Sequence, residues 1–253
     1  GLRHLVIQLD PATVCNIRCQ MCYFGDPEYA KRKRRGKSRF TSDELEALAN
    51  TFFSKALVLN IGAAAEPTMY KNLSDVLRLA RKHKVPTTSL TTNGQVLTNS
   101  HVKDFIHYGL DEIIVSVHGI KKETYEKFMA PAKYEKLHRL LASIKEERTA
   151  QNSPCPQIRI NYTVNPENLY ELEHFFDVFG EYDIDTLQIR PVVEIKNAPY
   201  KWQDISNHLA QYHRILDTLS DRCAQNGVRL IATRSDPTFK KTKRKCNVHS
   251  VNG

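Results

Sequence analysis

A chain of 253 residues with 41% apolar content can bury a substantial core, and its length suits either one α/β barrel or two small domains. The longest apolar stretch, residues 56–65, is interrupted by Asn60 and too short to span a bilayer. Arg3, His4 and Asp10 leave no secretory apolar region at the start, so a soluble cytoplasmic protein with no membrane partner is expected. The formal charge is +9, with six basic residues in the run KRKRRGK at 31–37. That run has no apolar residue to fold around and reads as a solvated loop, the sharper alternative being electrostatic recruitment of an anionic substrate, peptide or nucleic acid.

In chain order, hydrophobic pattern and punctuation predict a short strand HLVIQLD, a cysteine-bearing loop, and a helix over 42–53 whose start TSDE is a capping box. A buried strand ALVLNIG follows, then a helix NLSDVLRLARKHK, a strand TTSLTT, a helix over 100–108 and a buried strand EIIVSVH. Helical periodicity returns over 134–148. It is followed by strand QIRINYTV, a helix over 166–179, strand TLQIRPV and a long helix over 206–225, with GVRLIAT as an optional last strand. Six strand-then-helix units without a dividing linker imply one domain of parallel strands with right-handed crossovers, a barrel or an open α/β sheet. In either architecture reactive groups belong at the carboxyl ends of the strands. The unusual polar segments fall there: the cysteine loop, GAAAEP, TTNG, SVHG, NYTVNP and RPVVE.

The six cysteines are too sparse for a disulfide scaffold and fit a reducing compartment. Cys155 and Cys223 read as buried small hydrophobes. Cys15, Cys19 and Cys22 stand within eight residues. Disulfides pair thiols in twos, and a structural zinc recruits four ligands; three thiols fit neither pattern. They suit an iron–sulfur cube with one iron left open to a non-protein ligand.

The CxxxCxxC pattern of Cys15, Cys19 and Cys22, with the order of the later motifs, resembles the radical SAM enzymes. The resemblance runs from Leu5 to about Arg190 and implies a partial (βα)6 barrel of α/β class. It further implies a 4Fe-4S cluster on the three cysteines, with S-adenosylmethionine (SAM) chelating the fourth iron and cleaved reductively to a radical that abstracts a substrate hydrogen atom. Tyr23, after the third cysteine, is a candidate SAM contact; Met21, before it, stands where the family often carries an aromatic and would still give apolar cover near the SAM adenine. GAAAEP resembles the family's glycine-rich turn, giving Gly62 the tight backbone and Glu66 the acceptor for the SAM ammonium. Ala at 63–65 departs from the usual glycines and puts the turn geometry in question. Asn93 in TTNG and Ser116 in SVHG resemble SAM-contacting positions, Asn93 reading equally well as a turn residue. Lys127 is a candidate for the SAM carboxylate or a solvated lysine. His118 stands where relatives commonly carry Asp. With Asn161 and Arg190 it makes up the candidate substrate site, and Asn165 resembles a further polar position.

SVHGIKKETYEKFM is similar to a segment of the branch with SPASM- or twitch-type auxiliary-cluster extensions. On that reading residues 1–232 are the core, and the basic tail 233–253 begins such an extension, with Cys246 as its first ligand or as a stray thiol. A chain opening on Gly1 and stopping at VNG reads as a fragment or a trimmed protein. The implied partners are an external electron donor, such as flavodoxin or ferredoxin, and a peptide or small-molecule substrate. The rivals are an RNA-modifying radical SAM enzyme and a catalytically idle basic binding module.

Overall fold

The computed structural model describes residues 2–201 and 205–234. Seven parallel strands, β1 (Leu5–Leu9), β2 (Ala56–Ile61), β3 (Thr87–Thr92), β4 (Glu112–Val117), β5 (Gln157–Val164), β6 (Thr186–Pro191) and β7 (Arg229–Ala232), form one sheet in chain order. The optional strand in GVRLIAT is therefore β7, and because β1 and β7 stand at opposite edges the barrel is open. The connecting helices are α1 (Pro27–Arg35), α2 (Ser42–Phe52), α3 (Leu73–Lys82), α4 (Asn99–Tyr108), α5 (Lys122–Phe128), α6 (Tyr134–Ala150), α7 (Phe175–Phe179) and α8 (Leu209–Gln225).

Strand alternation separates two faces. On β4, Ile113, Val115 and Val117 are fully buried while Glu112, Ile114 and Ser116 are half-buried; β5 repeats this, with Ile158, Ile160, Tyr162 and Val164 buried and Arg159, Asn161 and Thr163 half-buried. The buried set packs under the helices, where α3 contributes Leu73, Val76, Leu77, Leu79 and Ala80, a helical stripe. The half-buried set lines the inner face of the open barrel and is mostly polar. The capping box on α2 forms between Thr41 and Glu44 as the sequence predicts.

Three expectations are corrected. Residues 31–35 of the basic run are not a loop but the second half of α1, with Gly36 and Lys37 beyond it: the Asp26 side chain accepts from the N–H groups of Glu28 (2.9 Å) and Tyr29 (3.4 Å), and Pro27 opens the helix. Lys and Arg are good helix formers, and basic residues suit the last turn's dipole. Only Ala30 is buried on it, so no apolar period betrayed the helix. Over 166–179 a 3₁₀ segment (Leu169–His174) precedes the short α7. There the Asn165 side chain accepts from the N–H groups of Glu167 and Asn168, and Asn168 accepts from that of Asn165, holding a turn where the helix was expected to begin. α8 likewise follows a 3₁₀ turn, Ile205–His208.

Candidate active site

The loop after β1 crosses the strand ends and is laced from three sides. Glu66 N–H donates to Val14 O (3.1 Å), Arg18 N–H to Ala130 O (2.6 Å), Gln20 N–H to Phe128 O (2.8 Å), and Tyr200 N–H to Gln20 O (2.9 Å). Val14, Ile17, Met21 and Phe24 are buried beneath it, leaving Cys15, Cys19 and Cys22 as half-buried free thiols. Burial pushes the Cys15 thiol up to about 11, helped by the charges of Glu66 and Cys22. Cys19 is pushed up by burial first, then by Cys22 and Cys15, and Cys22 by burial. Thiols that feel one another in a low-dielectric loop become thiolates only with a cationic partner. Among the described residues no three His, Cys, Asp or Glu side chains converge on a single ion; a cluster, in which each thiolate takes its own iron, needs no such convergence.

The GAAAEP turn follows β2. Gly62 has φ +85°, and a Cβ there would stand 2.4 Å from Thr91 O, so only glycine fits. None of the three alanines has positive φ, and their substitution for glycine leaves the turn unstrained. What organises them is Asp10, which the sequence reading missed. Its carboxylate accepts from the N–H groups of Ala63 (2.9 Å), Ala64 (3.1 Å) and Ala65 (3.2 Å). Asp10→Ala should free those amides and loosen the turn, weakening SAM binding by about 1 kcal/mol, roughly fivefold. Titration calorimetry on protein with unchanged iron content checks this, and unaltered affinity refutes it.

Glu66 is buried at 3% exposure. Its Oε1 accepts from Thr68 N (3.2 Å), Thr68 Oγ1 (2.5 Å) and Thr92 Oγ1 (2.7 Å), and its Oε2 from Asn93 N (2.8 Å). One acceptor position on Oε2 remains. Asn93 reaches back to the cysteine loop, donating to Asn16 Oδ1 (2.8 Å) and standing 3.8 Å from Cys15 Sγ. The turn after β2, the end of β3 and the thiol loop are thus one hydrogen-bonded unit.

On the inner face Ser116 and Asn161 are opposite each other across β4 and β5, with Gln188 next on β6. Below them Arg159 holds Glu112 with both terminal contacts at 2.7 Å and reaches Gln188 Oε1 at 3.3 Å. Of the six buried side-chain polar atoms without a partner among the described residues, two belong to predicted site residues, Asn161 Oδ1 and His118 Nδ1. Such an atom costs about 1–3 kcal/mol unless a ligand or water satisfies it. Asn165 is a turn residue whose Nδ2 lies 3.5 Å from Met21 Sδ. Lys127 pairs its ammonium with Glu167 on the surface and lies over the Phe128 ring. Tyr23 is half exposed and rests against Tyr29. Arg190 is exposed and borders a cavity of about 470 Å³ lined also by Met21, Thr163, Gln188, Val192 and Ile231. Cys246, and all of the predicted tail except Thr233 and Arg234, lie outside the described residues.

Burial pushes His118 down to about 4 from an ordinary 6.5, so its imidazole is neutral at pH 7. The unfolded chain then binds the proton more readily than the native one, so this contribution is fully present above pH 6.5 and is lost as pH falls toward 4. On the order of 2 kcal/mol should disappear by pH 5. Urea unfolding at pH 7.5 and pH 5 should show that loss in the wild type and not in His118→Gln; equal pH dependence overturns it.

An open parallel barrel whose strand ends gather three reduced thiols, a carboxylate-centred turn and unsatisfied inner-face polar atoms defines the class of iron–sulfur barrel proteins that bind a small polar cofactor beside the cluster. The chain belongs to the Radical SAM superfamily, which it matches over residues 9–179. It is 29% identical over 178 residues to the "Probable GTP 3',8-cyclase" of Metallosphaera sedula, covering 70% of this chain and 52% of that protein. It is 27% identical over 206 residues to that of Saccharolobus islandicus, covering 79% and 61%. The chain thus spans little more than half the length of these relatives. In fold it resembles Streptococcus suis SuiB bound to S-adenosylmethionine (TM-score 0.68, 18% identity, 90% of this chain and 50% of that one). It also resembles anSMEcpe with bound AdoMet (TM-score 0.70, 19% identity, 90% and 64%). The family's cofactors are a 4Fe-4S cluster and SAM, and the residues present fit both. Three free thiols are available to the irons, and the two orphaned inner-face atoms are available to a polar ligand. No helix among the described residues is long and apolar enough to cross a membrane.

Proposed function

We propose that this chain holds a 4Fe-4S cluster on Cys15, Cys19 and Cys22 and binds SAM beside it, to abstract a hydrogen atom from a peptide substrate. When bound, the pair supplies reductive cleavage of SAM to a 5′-deoxyadenosyl radical. The observation that carries this reading is the hydrogen-bonded unit joining thiol loop, Glu66 and Asn93, with the orphaned atoms of Asn161 on β5 and His118 just after β4 as further polar groups. In it the open position on Glu66 Oε2 accepts from the SAM ammonium. Asn161 accepts from a ligand hydroxyl or amine, and Ser116 stands beside it to orient the same group. His118, being neutral, offers its Nδ1 without placing a charge near the radical.

The substrate enters at the cavity beside Met21. Its lining is mostly apolar, with Ile189, Pro191, Val192, Val193, Ile231 and Ala232 against one cation, Arg190. That lining suits an amino-acid side chain; a triphosphate calls for several cations and amide donors. SuiB, a fold neighbour, has been crystallised with its precursor peptide SuiA (TM-score 0.69, 18% identity). The second reading, a nucleotide substrate, is favoured by the relatives named GTP 3',8-cyclase. The test is deuterium transfer into 5′-deoxyadenosine from a perdeuterated peptide library against ribose-deuterated GTP. Label from peptide supports the first reading, label from GTP replaces it with the second, and absence of SAM cleavage removes both.

A further inference from the structure

Helix α1 presents Lys31, Arg32, Arg34 and Arg35 to solvent, with Lys33 over the Tyr29 ring, and Lys37 just beyond it pairs with Glu44. Among the described residues none of the five cations from Lys31 to Arg35 forms an ion pair within the fold. Complementing the helix dipole needs one or two of them. The rest repel one another at three- and four-residue spacing, a cost that the Tyr29 ring, 5.3 Å from Arg32 and 5.7 Å from Lys33, offsets only in part.

This helix is fastened to the thiol loop at both ends. Pro27 is the fifth residue after Cys22, the turn between them closing with Gly25 N–H to Cys22 O (2.9 Å) and Asp26 N–H to Tyr23 O (3.1 Å). Even fully extended, five residues reach about 18 Å. Buried Phe24 meets Tyr29 edge-on at 5.4 Å. Beyond the helix the chain pairs back on the segment before Cys15, with Thr13 N–H to Ser38 O (2.8 Å) and Phe40 N–H to Pro11 O (3.2 Å). The cavity beside Met21 takes no lining residue from α1, so the helix adjoins the thiol loop and not that cavity.

We propose that α1 is the docking face for an acidic one-electron carrier protein, a reading that rests on the reductive chemistry above. A rigid, strongly cationic helix steers an acidic partner and orients it by charge, the mode suited to small transient contacts. Each encounter moves one electron: the carrier is oxidised by one, the cluster is reduced by one, and no atom is transferred.

The experiment uses a purified acidic flavodoxin as probe and measures its affinity by titration at low and at physiological salt. The variant Lys31→Ser, Arg32→Ser, Arg34→Ser, Arg35→Ser should bind roughly tenfold or more weakly at low salt, with a flattened salt dependence, because exposed charges act over about a Debye length of ~8 Å at physiological salt. Arg32→Lys, Arg34→Lys, Arg35→Lys should bind as the wild type does, separating charge from folding. SAM cleavage driven by dithionite should be equal in all three proteins. Unchanged flavodoxin affinity and salt slope in the serine variant overturn the proposal. So does retained flavodoxin binding with loss of peptide or RNA capture, which would make α1 a substrate-recruiting face. Failure of dithionite-driven cleavage in the wild type would sink the reductive reading while leaving the measured docking intact.

Discussion

Cys19→Ala is expected to strip the cluster and abolish SAM cleavage. Of the three thiols Cys19 is the one that feels both others, as the middle ligand of a shared inorganic core would. A site-differentiated cube carries about four irons, and two remaining thiolates cannot hold it. Iron analysis should fall from about four per reconstituted chain to below one, and 5′-deoxyadenosine should fall below detection. Folding should survive, because a half-buried thiol contributes far less packing than a core Leu or Phe; the apoprotein's melting transition should therefore remain cooperative. Cys155→Ala is the matched control. That cysteine sits before β5, away from the thiol loop, and its loss should change neither iron nor cleavage. Full iron and SAM cleavage in Cys19→Ala would remove the assignment of the cluster to this loop.

The three thiols stood out in the sequence because they share one short loop, which the structure places after β1 at the strand ends. The strands were legible as short apolar runs bounded by turn residues, and in QIRINYTV a period of two survives as well, because its inner face is polar and its outer face apolar. The convergence of polar segments on one end followed from the parallel topology alone. Asp10 was not legible: it acts across more than fifty residues, on three backbone amides that carry no sequence signal. The alanines of GAAAEP looked unsuitable for the same reason, since only Gly62 carries the positive φ that the motif's glycines suggest. Helix α1 was hidden because its cap is local but its body has no apolar face to reveal a period. The crowding around Glu66 required knowing that Thr92 and Asn93, twenty-six and more residues on, fold against it.

That crowding changes what Glu66→Gln should do. With four donors already on the carboxylate, an amide in its place must turn an –NH₂ toward at least one backbone N–H. Thr68 and Thr92 can rotate their hydroxyls to accept, but Thr68 N and Asn93 N cannot. Glu66→Gln should therefore destabilise the apoprotein by about 1–3 kcal/mol, the scale of a buried donor left unmet. It should also weaken SAM binding by about 1.5–3 kcal/mol through loss of a charge-assisted contact. Iron content should be unchanged, because the thiols are untouched. Thr92→Val separates the two effects. It removes one donor from Oε1 and the acceptor of the Gly94 N–H (3.0 Å) while leaving the carboxylate charge and Oε2 in place, so it should cost about 1–3 kcal/mol of stability with little effect on SAM. If Glu66→Gln loses stability yet binds SAM as tightly as the wild type, Glu66 is a clamp between the two turns and the ammonium is held by another group.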